Sequence, residues 1–131
     1  MRIALIAHDD KKMLMQNFCI AYRAILSRND LYATGTTGRL IEEVTNLNLH
    51  KYLTGHLGGE QQMAAAIEQN GIDLLIFLRD PVNNRTHEVD AAHLVRLCDM
   101  HNIPVATNLA SAELLLKSLD RGDFAWREIY Q

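Results

Sequence analysis

Three threonines and two glycines fall within five residues, Thr34-Gly35-Thr36-Thr37-Gly38, directly after Leu31-Tyr32-Ala33. The stretch reads as a strand that turns into a helix starting near Gly38. The first N–H groups of a helix have no partner within it, and its dipole is positive there, so such a loop can hold a phosphate. The same residues also suit an ordinary strand–turn–helix corner, because Gly and Thr are common in turns.

Further polar groups follow the other apolar runs. His8, Asp9 and Lys12 come after Arg2–Ala7. Thr54, Gly55, Gly58, Gly59 and Glu60 come after His50–Thr54. Asp80, His87 and Asp90 come after Asp73–Leu78, and Thr107 and Asn108 after Ile103–Thr107. In open parallel sheets, ligands bind outside the C-terminal ends of the strands, so these residues would share one rim. Carboxylates, an imidazole, a lysine and a hydroxyl-lined loop together suit proton transfer beside a carbonyl on a small phosphorylated substrate.

Each residue also has a plainer reading. Asp9, Glu60 and Asp90 favour helix N-termini by charge alone. Asp80 before Pro81 makes a turn, His8 is a satisfied strand-end histidine, and Lys12 is solvated. His50, His93 and His101 read as surface or packing residues, and His56 sits undecided in the rim loop. His87 and Asp90 stand three apart, but no third ligand accompanies them at zinc spacing. Neither a Walker Gly-Lys-Ser/Thr nor a Rossmann glycine fingerprint is present.

The elements that must position these groups alternate strand and helix. Ile3, Leu5 and Ile6 lie in a continuous apolar run, as does Leu74-Leu75-Ile76-Phe77-Leu78, and both suit strands covered on two faces. Lys11–Ser27 carries Leu14, Phe18, Ala21 and Ile25 at helical spacing. Helices are expected over Gly38–Asn46, Glu60–Gln69, Glu88–Asn102 and Ser111–Asp120, with Asn70-Gly71 as a stop. Arg121–Gln131 is a tail that caps the sheet or reaches a neighbouring subunit. Five strand–helix alternations predict a doubly wound, mostly parallel five-stranded sheet with helices on both faces, in one domain over residues 1–131.

The chain's 131 residues, 48% of them hydrophobic, suffice for a sizeable core. A net charge of −3 with interspersed signs gives no nucleic-acid or membrane footprint. The N-terminal apolar run is too short for a signal peptide. Cys19 and Cys98 fall in apolar helical patterns and read as buried thiols, which favours a cytoplasmic protein.

From Arg2 to about Tyr130 the sequence resembles the methylglyoxal synthase family. The motifs are Ala7-His8-Asp9 with Lys12, Tyr32-Ala33-Thr34-Gly35-Thr36-Thr37-Gly38, Gly58-Gly59-Glu60-Gln61-Gln62, Asp80-Pro81, His87-Glu88 with Asp90, and Ile103-Pro104-Val105-Ala106-Thr107-Asn108. The resemblance implies conversion of dihydroxyacetone phosphate to methylglyoxal and inorganic phosphate, with no metal or organic cofactor. It also implies a homohexamer inhibited by phosphate. Lys12, Thr34, Thr36, Thr37, Thr54 and Gly55 would hold the substrate phosphate. Glu60 would remove the proton, His87 would donate to the enediolate oxygen, and His8, Asp9, Asp80 and Asp90 would orient substrate and polar partners.

One loop departs from the family pattern. Glu60 stands where the family has Asp, Thr54 where it favours Ser, and His56 where it favours Pro. Glutamate moves the carboxylate by roughly 1 Å or more, and a misplacement of about 1 Å can cost on the order of 10²-fold in rate. Glutamate is nevertheless a competent base for triose-phosphate enolisation, as in triosephosphate isomerase. The loop therefore belongs to an enzyme with a repositioned base, or to a non-catalytic module of the same fold that binds a phosphorylated effector.

Overall fold

Ile3 to Ala7 are all buried, as a strand sandwiched between two helical layers must be. A computed structural model describes residues 1–82 and 90–129. In it β1 (Arg2–Ala7), β2 (Asp30–Ala33), β3 (Leu49–Lys51), β4 (Leu74–Leu78) and β5 (Val105–Ala106) form one sheet in the order β3-β2-β1-β4-β5. Every strand pair is parallel.

Successive side chains of a strand point to opposite faces, and the two cores divide accordingly. Ile3, Leu5, Leu74 and Ile76 meet α1 (Lys12–Ala21), α3 (Gly35–Thr45) and α6 (Leu109–Asp120) through Met15, Phe18, Ile41 and Leu116. Ala4, Ile6, Leu75 and Phe77 meet α4 (Gly59–Glu68) and α5 (Ala91–Met100) through Met63, Ile67, Leu94 and Cys98. The chain winds outward from β1 to β3, then returns to β4 on the other side of β1. The topological switch point therefore lies between β1 and β4, where doubly wound sheets bind ligands.

Several boundaries differ from the sequence-based expectation. The helix expected over Lys11–Ser27 is a 3₁₀ turn (Asp9–Lys11), α1, and a short α2 (Arg23–Leu26), with Tyr22 off helical geometry between the last two. The buried face of α1 runs through Met15, Phe18 and Cys19, and Ala21 is exposed. β3 starts one residue before the expected His50–Thr54, and both it and β5 are shorter than expected, as edge strands with a partner on one side only. Three asparagines, Asn46, Asn70 and Asn102, adopt left-handed φ of 56°, 55° and 54° where α3, α4 and α5 end, a role open to Asn because its short side chain tolerates that region.

The tail caps the end of the sheet away from the polar rim. Phe124 is buried, and Arg127 in α7 (Trp126–Ile129) is only 2% exposed. Its guanidinium donates to Asp73 Oδ1 (3.2 Å), Asn102 O (2.9 Å), Asn70 Oδ1 (2.8 Å) and Ile72 O (3.1 Å). Asp73 also accepts from the Arg2 backbone N–H at 2.8 Å and from Arg2 Nε at 3.2 Å. Burial pushes the Asp73 carboxyl up, but the Arg2 N–H and the two guanidiniums outweigh it and hold the group below the ordinary carboxylate range.

Cys19 and Cys98 are buried free thiols, each pushed up to about 12 by burial. Among the described residues, no helix is long and apolar enough to cross a membrane.

Candidate active site

The strand ends deliver their polar groups to one rim, beginning at the switch point. The His8 N–H donates to Leu78 O at 3.0 Å, continuing the β1–β4 ladder by one residue. The Asp80 N–H then donates to His8 Nδ1 at 2.8 Å. Accepting there requires a lone pair on Nδ1, so the ring proton sits on Nε2. The edge of Phe77 steadies the ring, with centroids 5.1 Å apart. His8 is thus tied to both sides of the crevice.

Lys12 opens α1 just behind it. Its Nζ donates to Ala7 O at 2.8 Å and to Asp9 Oδ1 at 2.9 Å. An ammonium has three donors, so these bonds aim the head at the rim and leave one donor for a ligand.

The threonine loop is tighter than its sequence suggests. The helix begins at Gly35, three residues before the expected start at Gly38, with Thr34 in extended geometry as its N-cap. Gly35 N–H donates to Leu53 O at 3.2 Å, and Gly38 N–H makes the first intrahelical bond, to Thr34 O at 2.8 Å. The Thr36 and Thr37 N–H groups lie between these and have no acceptor within the helix. Glycine is required at 35, because a Cβ there would lie 2.9 Å from Tyr52 O. Thr34 and Thr37 are buried and Thr36 half-buried, so three hydroxyl-bearing residues surround a corner at the helix start whose free amides favour an anion.

The loop after β3 closes against that corner. Leu57 and Gly59 N–H groups both donate to Thr54 O, at 2.8 and 3.2 Å. Gln62 Oε1 accepts from Leu53 N–H at 2.7 Å and pins the loop to the first turn of α4. Gly58 takes φ 116°, a left-handed value that favours glycine. A Cβ on Gly59 would stand 2.0 Å from Leu53 O, a backbone atom. Gly59→Ala must therefore displace the loop. Its expected effect is a destabilisation of about 1–3 kcal/mol together with loss of phosphate affinity, read by urea denaturation and by phosphate titration.

Glu60 is the second residue of α4 and half-buried. Its side chain borders a hollow of about 320 Å³ with Gln61, Ala64, Ala65, Glu68 and His93. Thr54 and Gly55 lie in the loop immediately before it. Asp80 Oδ1 accepts from Val82 N–H at 3.0 Å, the turn expected of it, while its own N–H serves His8. Asp90 caps α5, accepting from Ala92 and His93 N–H groups at 3.0 and 3.4 Å. His87 lies outside the described residues.

Known proteins match nearly the whole chain. The family model described as the MGS-like domain matches residues 15–107. A methylglyoxal synthase from Caldicellulosiruptor saccharolyticus is 63% identical over 98% of this chain and 92% of its own. The chain belongs to the methylglyoxal synthase family. A methylglyoxal synthase from Clostridioides difficile is 53% identical over 98% of this chain and 94% of its own. The crystal structure of methylglyoxal synthase from Elizabethkingia anophelis superposes with a TM-score of 0.85 at 39% identity, covering 88% of this chain and 76% of that one. The all-parallel sheet described above is therefore the architecture of this family.

Two residues have roles in the site that the sequence does not foretell. Arg39 stands one helical turn after Thr36 and donates to its Oγ1 at 3.4 Å, adding a cation at the mouth of the threonine corner. The i, i+3 spacing from Thr36 was the available signal. Gln62 was part of a recognised motif, but its bond to Leu53 depends on how the loop folds back. Among the described residues, no group of three His, Cys, Asp or Glu side chains could hold a metal ion.

Proposed function

We propose that the chain acts as a methylglyoxal synthase, converting dihydroxyacetone phosphate to methylglyoxal and inorganic phosphate. The observation that carries the reading is its 63% identity to a methylglyoxal synthase over nearly the full length of both chains. The rim supports it, with an anion corner, an aimed lysine and a tautomer-fixed histidine at the switch point.

The chemistry assigns roles. The proton must leave the hydroxymethyl carbon, because only then does the enediolate place its electron pair adjacent to the carbon that bears phosphate. Glu60 takes that proton. His87, by its place in the family motif, donates to the enediolate oxygen. The electron pair then forms the new C=C bond as the C–O bond to phosphate breaks, and the resulting enol tautomerises to methylglyoxal. Thr34, Thr36, Thr37, Thr54, Gly55 and Lys12 receive the leaving phosphate, with Arg39 beside them. Asp9 aims Lys12, Asp80 fixes His8, and Asp90 orders the start of α5. Inorganic phosphate, as product, competes for the same corner, and the family resemblance makes the working form a homohexamer. The buried, unpaired thiols fit a cytoplasmic setting.

The test is incubation with dihydroxyacetone phosphate while methylglyoxal and phosphate are followed together. Lys12→Met should lower kcat/KM roughly 10- to 100-fold, the range for loss of one charge-assisted hydrogen bond to a phosphate. An unchanged kcat/KM would remove Lys12 from the phosphate site.

A further inference from the structure

A second hollow opens on the same rim, on the β5 side of the switch point. It has a volume of about 260 Å³ and lies between the start of α1, the end of β4 and the start of α6. Its apolar lining is Leu14, Leu78, Pro81 and Leu109, and its polar lining is Lys11, Arg79, Thr107 and Asn108. No acid lines it. Neither Lys11 nor Arg79 has a carboxylate at ion-pair distance among the described residues. Two cations left together around an apolar cavity are charge-frustrated until an anion joins them. Asn108 spends its Oδ1 on the Ser111 N–H at 3.0 Å, capping α6, so its amide donors remain available to the hollow.

We propose that this hollow is a binding site for a small organic anion, namely a carboxylate carrying a compact branched aliphatic body. The carboxylate meets Lys11 and Arg79, and the aliphatic body covers Leu14, Leu78, Pro81 and Leu109. Inorganic phosphate satisfies the cations but leaves the apolar lining wet, so the site is distinct in chemistry from the threonine corner. It is also distinct in residues, since Lys11 and Arg79 take no part in the steps assigned above. Each is nonetheless the chain neighbour of a residue that holds the active rim. Lys11 precedes Lys12, and Arg79 precedes Asp80, whose N–H bonds His8 at 2.8 Å.

The experiment uses isovalerate as the probe, titrated into the full chain and followed by calorimetry and by amide shifts. Saturable binding is expected, with the shifts centred on residues 11–14, 78–81 and 107–109. The Lys11→Ala/Arg79→Ala double variant should weaken it at least about tenfold, and the neutral isovaleramide should bind at least about tenfold more weakly than the acid. Saturating inorganic phosphate should leave isovalerate bound. The proposal is overturned if phosphate displaces isovalerate, if the double variant binds it as well as wild type while keeping its circular dichroism, or if no saturable binding occurs. Because the readout is binding, a chain inactive on dihydroxyacetone phosphate would still decide the matter.

Discussion

Glu60→Gln should slow methylglyoxal formation by about 10³-fold, within the 10²–10⁴ range that a positioned general base supplies, while phosphate still binds. The amide keeps the shape of the carboxylate and cannot accept the proton. Phosphate affinity should hold because the anion corner is built from the start of α3 and the Leu53–Gly59 loop, whose bonds do not involve the Glu60 side chain. A matched loss of phosphate binding would make Glu60 a structural residue. Glu60→Asp separates two accounts of the altered loop. The backbone around Glu60 is set by Gly59 against Leu53 O and by Gln62 on Leu53 N–H, so the loop cannot advance to meet a shorter acid. Asp should therefore fall roughly 1 Å short and lose on the order of 10²-fold in turnover. A gain in turnover would mean that Glu60 is a compromise in a site still built for Asp.

The second large effect lies at the opposite end of the sheet. Arg127→Met should destabilise the fold by about 3 kcal/mol, the low end of the range for breaking a buried ion pair, because Asp73 keeps Arg2. The methionine fills much of the volume but takes one guanidinium from Asp73, and it leaves the Asn102 and Ile72 carbonyls without the donors they now have. Urea denaturation should show a lower midpoint with an unchanged slope. The same cluster sets a pH dependence. The Asp73 carboxyl is held below its ordinary value in the folded chain, so the unfolded chain binds its proton first as pH drops. The stabilisation is complete above the ordinary carboxylate value near 3.9 and is lost as pH falls through the lowered folded value. Asp73→Asn should flatten that acid limb, and an unaltered limb would place its origin elsewhere.

Legibility in the sequence followed the range of the interactions. β1 and β4 were clear because their apolar runs are uninterrupted, and the Asn70-Gly71 stop was clear because a helix end is written in adjacent residues. The start of α3 was misplaced by three residues. Gly35 is fixed by Leu53 and Tyr52, some eighteen residues away in the chain, and nothing near Gly35 records that contact. The break at Tyr22 was missed because Leu14, Phe18 and Ile25 continue a helical period across it, while the buried face is set by Met15 and Cys19 against the sheet. The tail is expected to cap the sheet or reach a neighbouring subunit, and nothing in the sequence singles out Arg127 within it. Its burial depends on Asp73, Asn70 and Asn102, brought together only by the finished sheet. On the rim, the sequence does not reveal which of the motif residues serve each other. Asp90 caps α5, and the Asp80 backbone N–H serves His8.

A rim that eliminates phosphate from an enediolate must release methylglyoxal and phosphate together. The most direct measurement supplies purified chain with dihydroxyacetone phosphate and quantifies methylglyoxal and inorganic phosphate in the same samples over time. Equal amounts of both, rising together and suppressed by added phosphate, are the predicted result. Well-folded chain that binds phosphate yet releases neither product would contradict the account and leave an effector-binding module of the same fold.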